Sequence, residues 1–201
     1  MLDVQHLIES GGLLLITAII FAESGLLLGF FLPGDTLLFS AGFFAAQGKL
    51  PLGWLLTLVV AAALAGYYTG YHIGKKFGPK LFSKPNGILF RQEYLHRSEA
   101  FYKKHGGKTI FLSRFVPVVR TFAPVVAGMG KMDLRRFNMF NLLGAVVWGA
   151  GVTLLGHWLG SKIPNVDRYL LPVILAAMAI SFGPTLYHLF KALLRKDKKV
   201  V

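Results

Sequence analysis

The chain has 201 residues, 54% of them hydrophobic and 15% charged, with a formal net charge of +13 and no cysteine. Soluble domains carry about 25% charged residues, so the deficit, together with a mean hydropathy of +0.56, points to a lipid environment. The lack of cysteine excludes disulfides, thiolate metal sites and cysteine nucleophiles, and the placement of the positive charge favours a membrane surface over nucleic acid.

The N-terminal MLDVQHLIESGGLLL has no Lys or Arg ahead of its apolar run and no small-residue cleavage site after it. A removable signal peptide is therefore not expected. A spanning helix needs about 20 mostly apolar residues, which predicts four spans: Leu13–Leu32, Leu52–Ile73, Phe137–Leu159 and Tyr169–Phe190. Two further apolar stretches are interrupted. Residues 30–48 contain Pro33, Gly34 and Asp35; residues 109–130 contain Pro117 and Pro124 with two arginines. Proline removes a backbone donor and clashes with the preceding turn, and broken backbone inside a membrane is tolerated only where protein or a water cavity covers it. Both stretches are read as re-entrant hairpins with breaks at Pro33, Gly34, Pro117 and Pro124.

Charge placement sets an orientation. Seventeen Lys and Arg residues fall in the central loop, around Lys131–Arg136 and in the tail, against Lys49, Lys162 and Arg168 on the opposite side. The positive-inside rule then puts the central loop and both termini in the cytoplasm. Within the loop, the aromatic and basic ILFRQEYLHRSEAFYKKHG reads either as an interfacial amphipathic helix or as a solvated one. The KDKKVV tail reads as a stop-transfer cluster.

The interrupted stretches resemble each other. Phe31-Leu32-Pro33 recurs as Phe115-Val116-Pro117, Thr36 as Thr121, and Gly70-Tyr-His-Ile-Gly74 as Gly156-His-Trp-Leu-Gly160, at offsets of 84 to 86 residues. A near-constant offset indicates duplication. With the orientation above, the halves are antiparallel across the membrane, a recurring transporter design. The predicted fold is an all-α polytopic membrane protein: an inverted repeat with two opposed re-entrant helical hairpins and about four spanning helices. As a single transmembrane domain over 1–201, it divides into repeat 1 (about 13–78), a cytoplasmic linker (about 79–108), repeat 2 (about 109–164), a spanning helix (about 169–190) and a basic tail (191–201). Gly66, Gly70, Gly74 and Gly78 give one smooth helix face for close packing, within one chain or between copies in a homo-oligomer.

Four charges lie inside apolar sequence: Glu23, Asp35, Arg114 and Arg120. Insertion scales charge roughly 2.5–3.5 kcal/mol for an ionised side chain at the bilayer centre, so four must pair, protonate or line water. One reading is mutual neutralisation that locks the hairpins. The other divides the labour: Arg114 and Arg120 supply fork-shaped donors for a phosphate head group, and Glu23 and Asp35 exchange protons. A straight helix would set the two arginines about 240° apart at 3.6 residues per turn, so cooperation needs a turn at Pro117. His72 and His157 lack a metal-site pattern, and no metal or other cofactor is expected. Asn138 and Asn141 are read as helix–helix hydrogen bonders. No nucleotide loop or nucleophile elbow is present, so the chain is not expected to be an enzyme.

FLPGDTLLFSAGFFAAQG, GYHIGKKFG and FLSRFVPVVRTFAPVVAGMGKMDLRRFNMFNLLGAVVWG closely resemble the DedA family of bacterial membrane proteins over roughly residues 10–165. The resemblance implies an inner-membrane protein with two opposed hairpins that translocates undecaprenyl phosphate or phospholipids with proton dependence. It also implies that Glu23 and Asp35 are functional acids and Arg114 and Arg120 functional arginines. Many relatives carry an acid after the glycine matching Gly66, where this chain has Tyr67. The expected partners are membrane lipids, a lipid phosphate among them, and protons. Alternatives are a phospholipid flippase or scramblase, a proton-coupled small-cation antiporter, a lipid-phosphate hydrolase and a membrane scaffold.

Overall fold

Backbone polar groups in an apolar chain must pair within the chain, and helices do this segment by segment. A computed structural model describes residues 4–26, 34–81, 100 and 104–162, and among these there is no strand. The helices are α1 (Val4–Gly25), α2 (Gly34–Ala46), α3 (Leu52–Leu81), α4 (Lys108–Ser113), α5 (Pro117–Met129), α6 (Leu134–Ala145) and α7 (Gly151–Lys162). A π-helical segment, Val146–Ala150, joins α6 to α7. Pro33, most of the predicted linker, the predicted helix Tyr169–Phe190 and the basic tail lie outside the described residues.

Two of the helical stretches, Leu52–Gly78 and Leu134–Lys162, have 27 and 29 residues and a mean hydropathy of 1.6. At about 1.5 Å per residue each reaches about 40 Å, more than the about 30 Å hydrocarbon core. The 13 residues of α2 and of α5 reach only about 20 Å by the same rise. Leu112, Phe115, Leu142, Leu143, Val147, Leu154, Leu155 and Trp158 face outward. So large an exposed apolar surface suits lipid rather than water.

Several boundaries differ from the hydropathy reading. The predicted span Leu13–Leu32 is represented by α1, which begins earlier and ends at Gly25. The apolar run continues past that point, so hydropathy contains no stop signal. Pro124 is not a break: α5 runs through it. A proline inside a helix removes one N–H and crowds the carbonyl four residues back. Here its ring is fully buried against α3, where a Cβ on Gly70 would come within 3.1 Å of Pro124 Cγ. The interruption lies instead at residues 114–116, between α4 and α5, where Val116 is extended (φ −116°, ψ 106°) and Pro117 opens α5. Proline suits a helix's first turn, whose N–H groups have no intrahelical partner.

Glycines set the helix crossings. A Cβ on Gly25 of α1 would lie 2.6 Å from the Gly66 carbonyl of α3. Gly74 abuts the Val125 carbonyl and Gly128 the Tyr71 carbonyl, which joins α3 to α5; Gly42 abuts the Thr153 carbonyl and Gly156 the Phe39 carbonyl, which joins α2 to α7. None of these positions has room for a side chain. The stripe Gly66, Gly70, Gly74 and Gly78 is therefore used within the chain, first against α1 and then along α5. Before α6, Lys131 takes a left-handed conformation (φ 46°), and Asp133 caps the helix by accepting from the Arg136 N–H at 2.9 Å. Such a cap contributes about 1 kcal/mol.

Two apolar clusters result. One unites Leu13, Ile16 and Ile20 with Leu38, Leu55, Val59 and Trp148. The other gathers Tyr67, Tyr71, Ile110, Met132 and Phe137, with the Tyr71 hydroxyl donating to the Met132 carbonyl at 2.5 Å. Trp148 belongs to the first and Tyr67 to the second, and the buried charges gather around these two rings.

Candidate functional site

Glu23 comes from the last turn of α1, Asp35 from the first turn of α2, and Arg120 from the first turns of α5. Arg120 bridges the acids. Its Nη1 donates to Asp35 Oδ1 at 2.7 Å, and its Nη2 bonds Glu23 Oε1. Glu23 is 1% exposed and Arg120 6%, whereas the Asp35 side chain keeps 25% of its surface. The fork matters here because each amino group serves a different carboxylate.

Gly34 lies directly beneath the Glu23 side chain. The Glu23 carboxylate occupies the space that a Cβ on Gly34 would need. It thus sits at the start of α2, where the helix dipole favours negative charge, and Asp35 lies in the same turn.

Arg114 is held differently. It lies at the 114–116 break and is 1% exposed. Its guanidinium lies over the Tyr67 ring at 3.8 Å, and its Nη2 donates to Asn141 Oδ1 at 2.6 Å and to the Ala63 carbonyl at 3.1 Å. Asn141 in turn donates from Nδ2 to the Leu64 carbonyl at 3.3 Å. The Tyr67 hydroxyl lies 3.3 Å from Ser113 Oγ. No carboxylate pairs with Arg114 among the described residues.

Trp148 joins the two arginines. Its indole N–H donates to Asp35 Oδ1 at 2.8 Å. The Arg120 guanidinium lies 5.0 Å from its ring centroid and that of Arg114 5.8 Å, both within cation–π range. The break at 114–116 therefore brings the two arginines around one indole. Trp148 stands on the π-helical segment, a feature frequent at functional sites.

Of the residues singled out from sequence, Glu23, Asp35 and Arg120 form one bonded cluster with Gly34 beneath it, and Arg114 lies beside it. Pro117 stands at the break and Pro124 in the helix after it. Sequence reasoning missed Trp148, which reads as one more apolar residue in a span. Asn141, read as a helix–helix hydrogen bonder, does donate to the Leu64 carbonyl of α3, but its bond from Arg114 was not foreseen, and Tyr67 entered only as a departure from relatives. Among the described residues no group of three or more His, Asp or Glu side chains is placed to hold a metal.

Helices with lipid-facing outer surfaces around a buried cluster of acids and arginines define this chain as a membrane protein. It belongs to the DedA family: the VTT domain matches residues 32–158. Protein DedA of Escherichia coli (strain K12) is 45% identical over 175 residues, covering 86% of this chain and 80% of that protein. An uncharacterized membrane protein of Mycobacterium leprae (strain TN) is 42% identical over 168 residues, or 84% of this chain and 75% of the relative. Inner membrane protein YghB of E. coli K12 is 36% identical over 152 residues, or 76% and 69%. No solved structure matches the chain.

Proposed function

We propose that this protein is a lipid translocase that moves a lipid phosphate, undecaprenyl phosphate in particular, across the bacterial inner membrane with proton dependence, making and breaking no covalent bond. One observation carries the reading: buried Glu23, Arg114 and Arg120 and the half-buried Asp35 gather around Trp148, where the ends of apolar helices meet. Pairs of this kind contribute little to stability compared with apolar packing, and ionisable groups inside membranes mark substrate and ion paths. The arginines suit a phosphate. Formal charges in the cluster sum to zero, so an entering monoanion adds one negative charge and a proton on Glu23 or Asp35 restores neutrality. That arithmetic supports proton dependence. The choice of undecaprenyl phosphate rests on the resemblance of the SRFVPVVRT block.

The inverted repeat is part of the same proposal. In its support, α2 packs on α7 and α5 on α3, so each short arm lies against the long helix of the other half. Both contacts run through paired glycines, Gly42 with Gly156 and Gly128 with Gly74. The inner-membrane assignment follows the names of the E. coli relatives, and cytoplasmic termini follow from the basic residues.

Proteoliposomes test the reading. Purified protein would be reconstituted with undecaprenyl phosphate, phosphatidylethanolamine or neither, with and without a pH gradient. Translocation of the lipid phosphate that accelerates with the gradient is expected. Equal rates in protein-free vesicles would refute it, and movement of phospholipid alone or of small cations would favour the corresponding alternative.

A further inference from the structure

Arg114 and Arg120 are not equivalent. Arg120 has its two amino groups committed to two carboxylates. Arg114 has neutral neighbours: the Tyr67 ring face, the Asn141 side-chain oxygen and the Ala63 carbonyl. Arginine cannot shed its charge, so Arg114 remains a cation with 1% of its surface exposed. Its Nε, like that of Arg120, is buried with no hydrogen-bond partner among the described residues, so the difference between the two lies in their amino groups, which meet carboxylates on Arg120 and neutral oxygens on Arg114. A buried unpaired donor is unusual and calls for a reason.

We infer that Arg114 is the seat of the anionic head group and that Tyr67 and Asn141 are positioning residues that hold it without neutralising it. The inference rests on the lipid-phosphate reading above and assigns the phosphate to one arginine of the pair. The ring face of Tyr67 and the amide of Asn141 fix the guanidinium plane as a carboxylate would, yet add no negative charge to compete with a ligand. Gly144 makes this possible, since a Cβ there would come within 2.8 Å of Arg114 Cδ. In the arrangement described the seat is occluded. Arg114 itself belongs to the break at 114–116, whose Phe115 and Val116 are half exposed. Arg120, bridged to Glu23 and Asp35, then holds the proton-exchanging acids.

The test uses the full chain in phosphatidylcholine nanodiscs, titrated with farnesyl phosphate and, separately, with inorganic phosphate. Asn141→Asp places an isosteric counter-ion on Arg114 at the expense of the hydrogen bond to the Leu64 carbonyl, and is expected to raise the dissociation constant for farnesyl phosphate at least ten-fold while the protein stays folded. Tyr67→Leu removes the ring face and is expected to weaken binding about five-fold, while Tyr67→Phe, which keeps the face, stays within two-fold. If inorganic phosphate binds with the same ranking of variants, the seat recognises phosphate itself; if only farnesyl phosphate binds, with that ranking, it takes a lipid phosphate. Either result supports the assignment. Wild-type protein that binds neither probe overturns the lipid-phosphate reading and the seat with it. Wild-type binding that Asn141→Asp and Tyr67→Leu leave within two-fold overturns the assignment to Arg114 alone.

Discussion

Replacing Arg120 by lysine keeps the positive charge and removes the fork. In the native cluster one amino group serves Asp35 and the other Glu23, and a single ammonium at the end of a flexible chain cannot hold both in that geometry. The two acids are not equally dependent on it. Asp35 also receives the Trp148 N–H and keeps a quarter of its side-chain surface, whereas Glu23 is 1% exposed. The lysine should therefore stay with Glu23 and release Asp35. Losing one hydrogen bond between charged groups costs about 1.5–3 kcal/mol. Unfolded segments within a membrane find other partners, which trims such values, so about 2 kcal/mol is expected for Arg120→Lys. Arg120→Ala, which leaves both acids without their cation, should approach about 3–5 kcal/mol. A cycle with Asp35→Asn isolates the bridge. That substitution should cost about 1–2 kcal/mol less in the Arg120→Lys background than in the native one, because its partner has already gone. Reversible denaturant unfolding of the purified protein in mixed micelles measures all four corners. Single effects that add to within about 0.3–0.5 kcal/mol, the range for independent sites, would refute the bridging account.

Trp148→Phe retains an aromatic face but removes the N–H given to Asp35; the lost charged hydrogen bond and part of the ring should lower the unfolding free energy by about 2 kcal/mol. A change below about 0.5 kcal/mol, within the usual scatter of neutral substitutions, would mean that Asp35 gains nothing from the indole. Gly25→Val forces a side chain into the Gly66 backbone, which cannot rotate away, and overpacking of this kind costs about 1–3 kcal/mol or more. The same unfolding assay reads it, and Gly48→Ala is the contrast: open space surrounds Gly48, but its φ of +73° strains a side chain, so a loss near 1 kcal/mol is expected there.

How much of this was legible beforehand differs from residue to residue. Glu23, Asp35, Arg114 and Arg120 announce themselves in sequence because ionised groups are costly among apolar neighbours. The glycine stripe from Gly66 to Gly78 is equally plain, since small residues every four positions mark a helix face for close approach. Trp148 is not, because tryptophan in an apolar run is ordinary and a π-helical turn has no sequence signature. The break was half legible. Pro117 and Pro124 read alike in sequence, yet Pro117 starts a helix and Pro124 lies within one, its ring seated in the gap left by Gly70. Where a helix stops inside a long apolar run, as α1 does at Gly25, hydropathy is silent.

By itself the sequence determined the solvent, the helical class and the list of buried charges, because those follow from composition, from segment length against bilayer thickness and from the cost of lone charges. Which charge meets which was decided by tertiary structure alone. Asp35 and Arg120 are 85 residues apart, Glu23 and Arg120 are 97, and Trp148 reaches Asp35 across 113. No local rule reaches that far. Only the glycine-set crossings bring the ends of α1 and α2 to the break before α5, and only they separate an arginine bound by two acids from one that lies on a tyrosine ring.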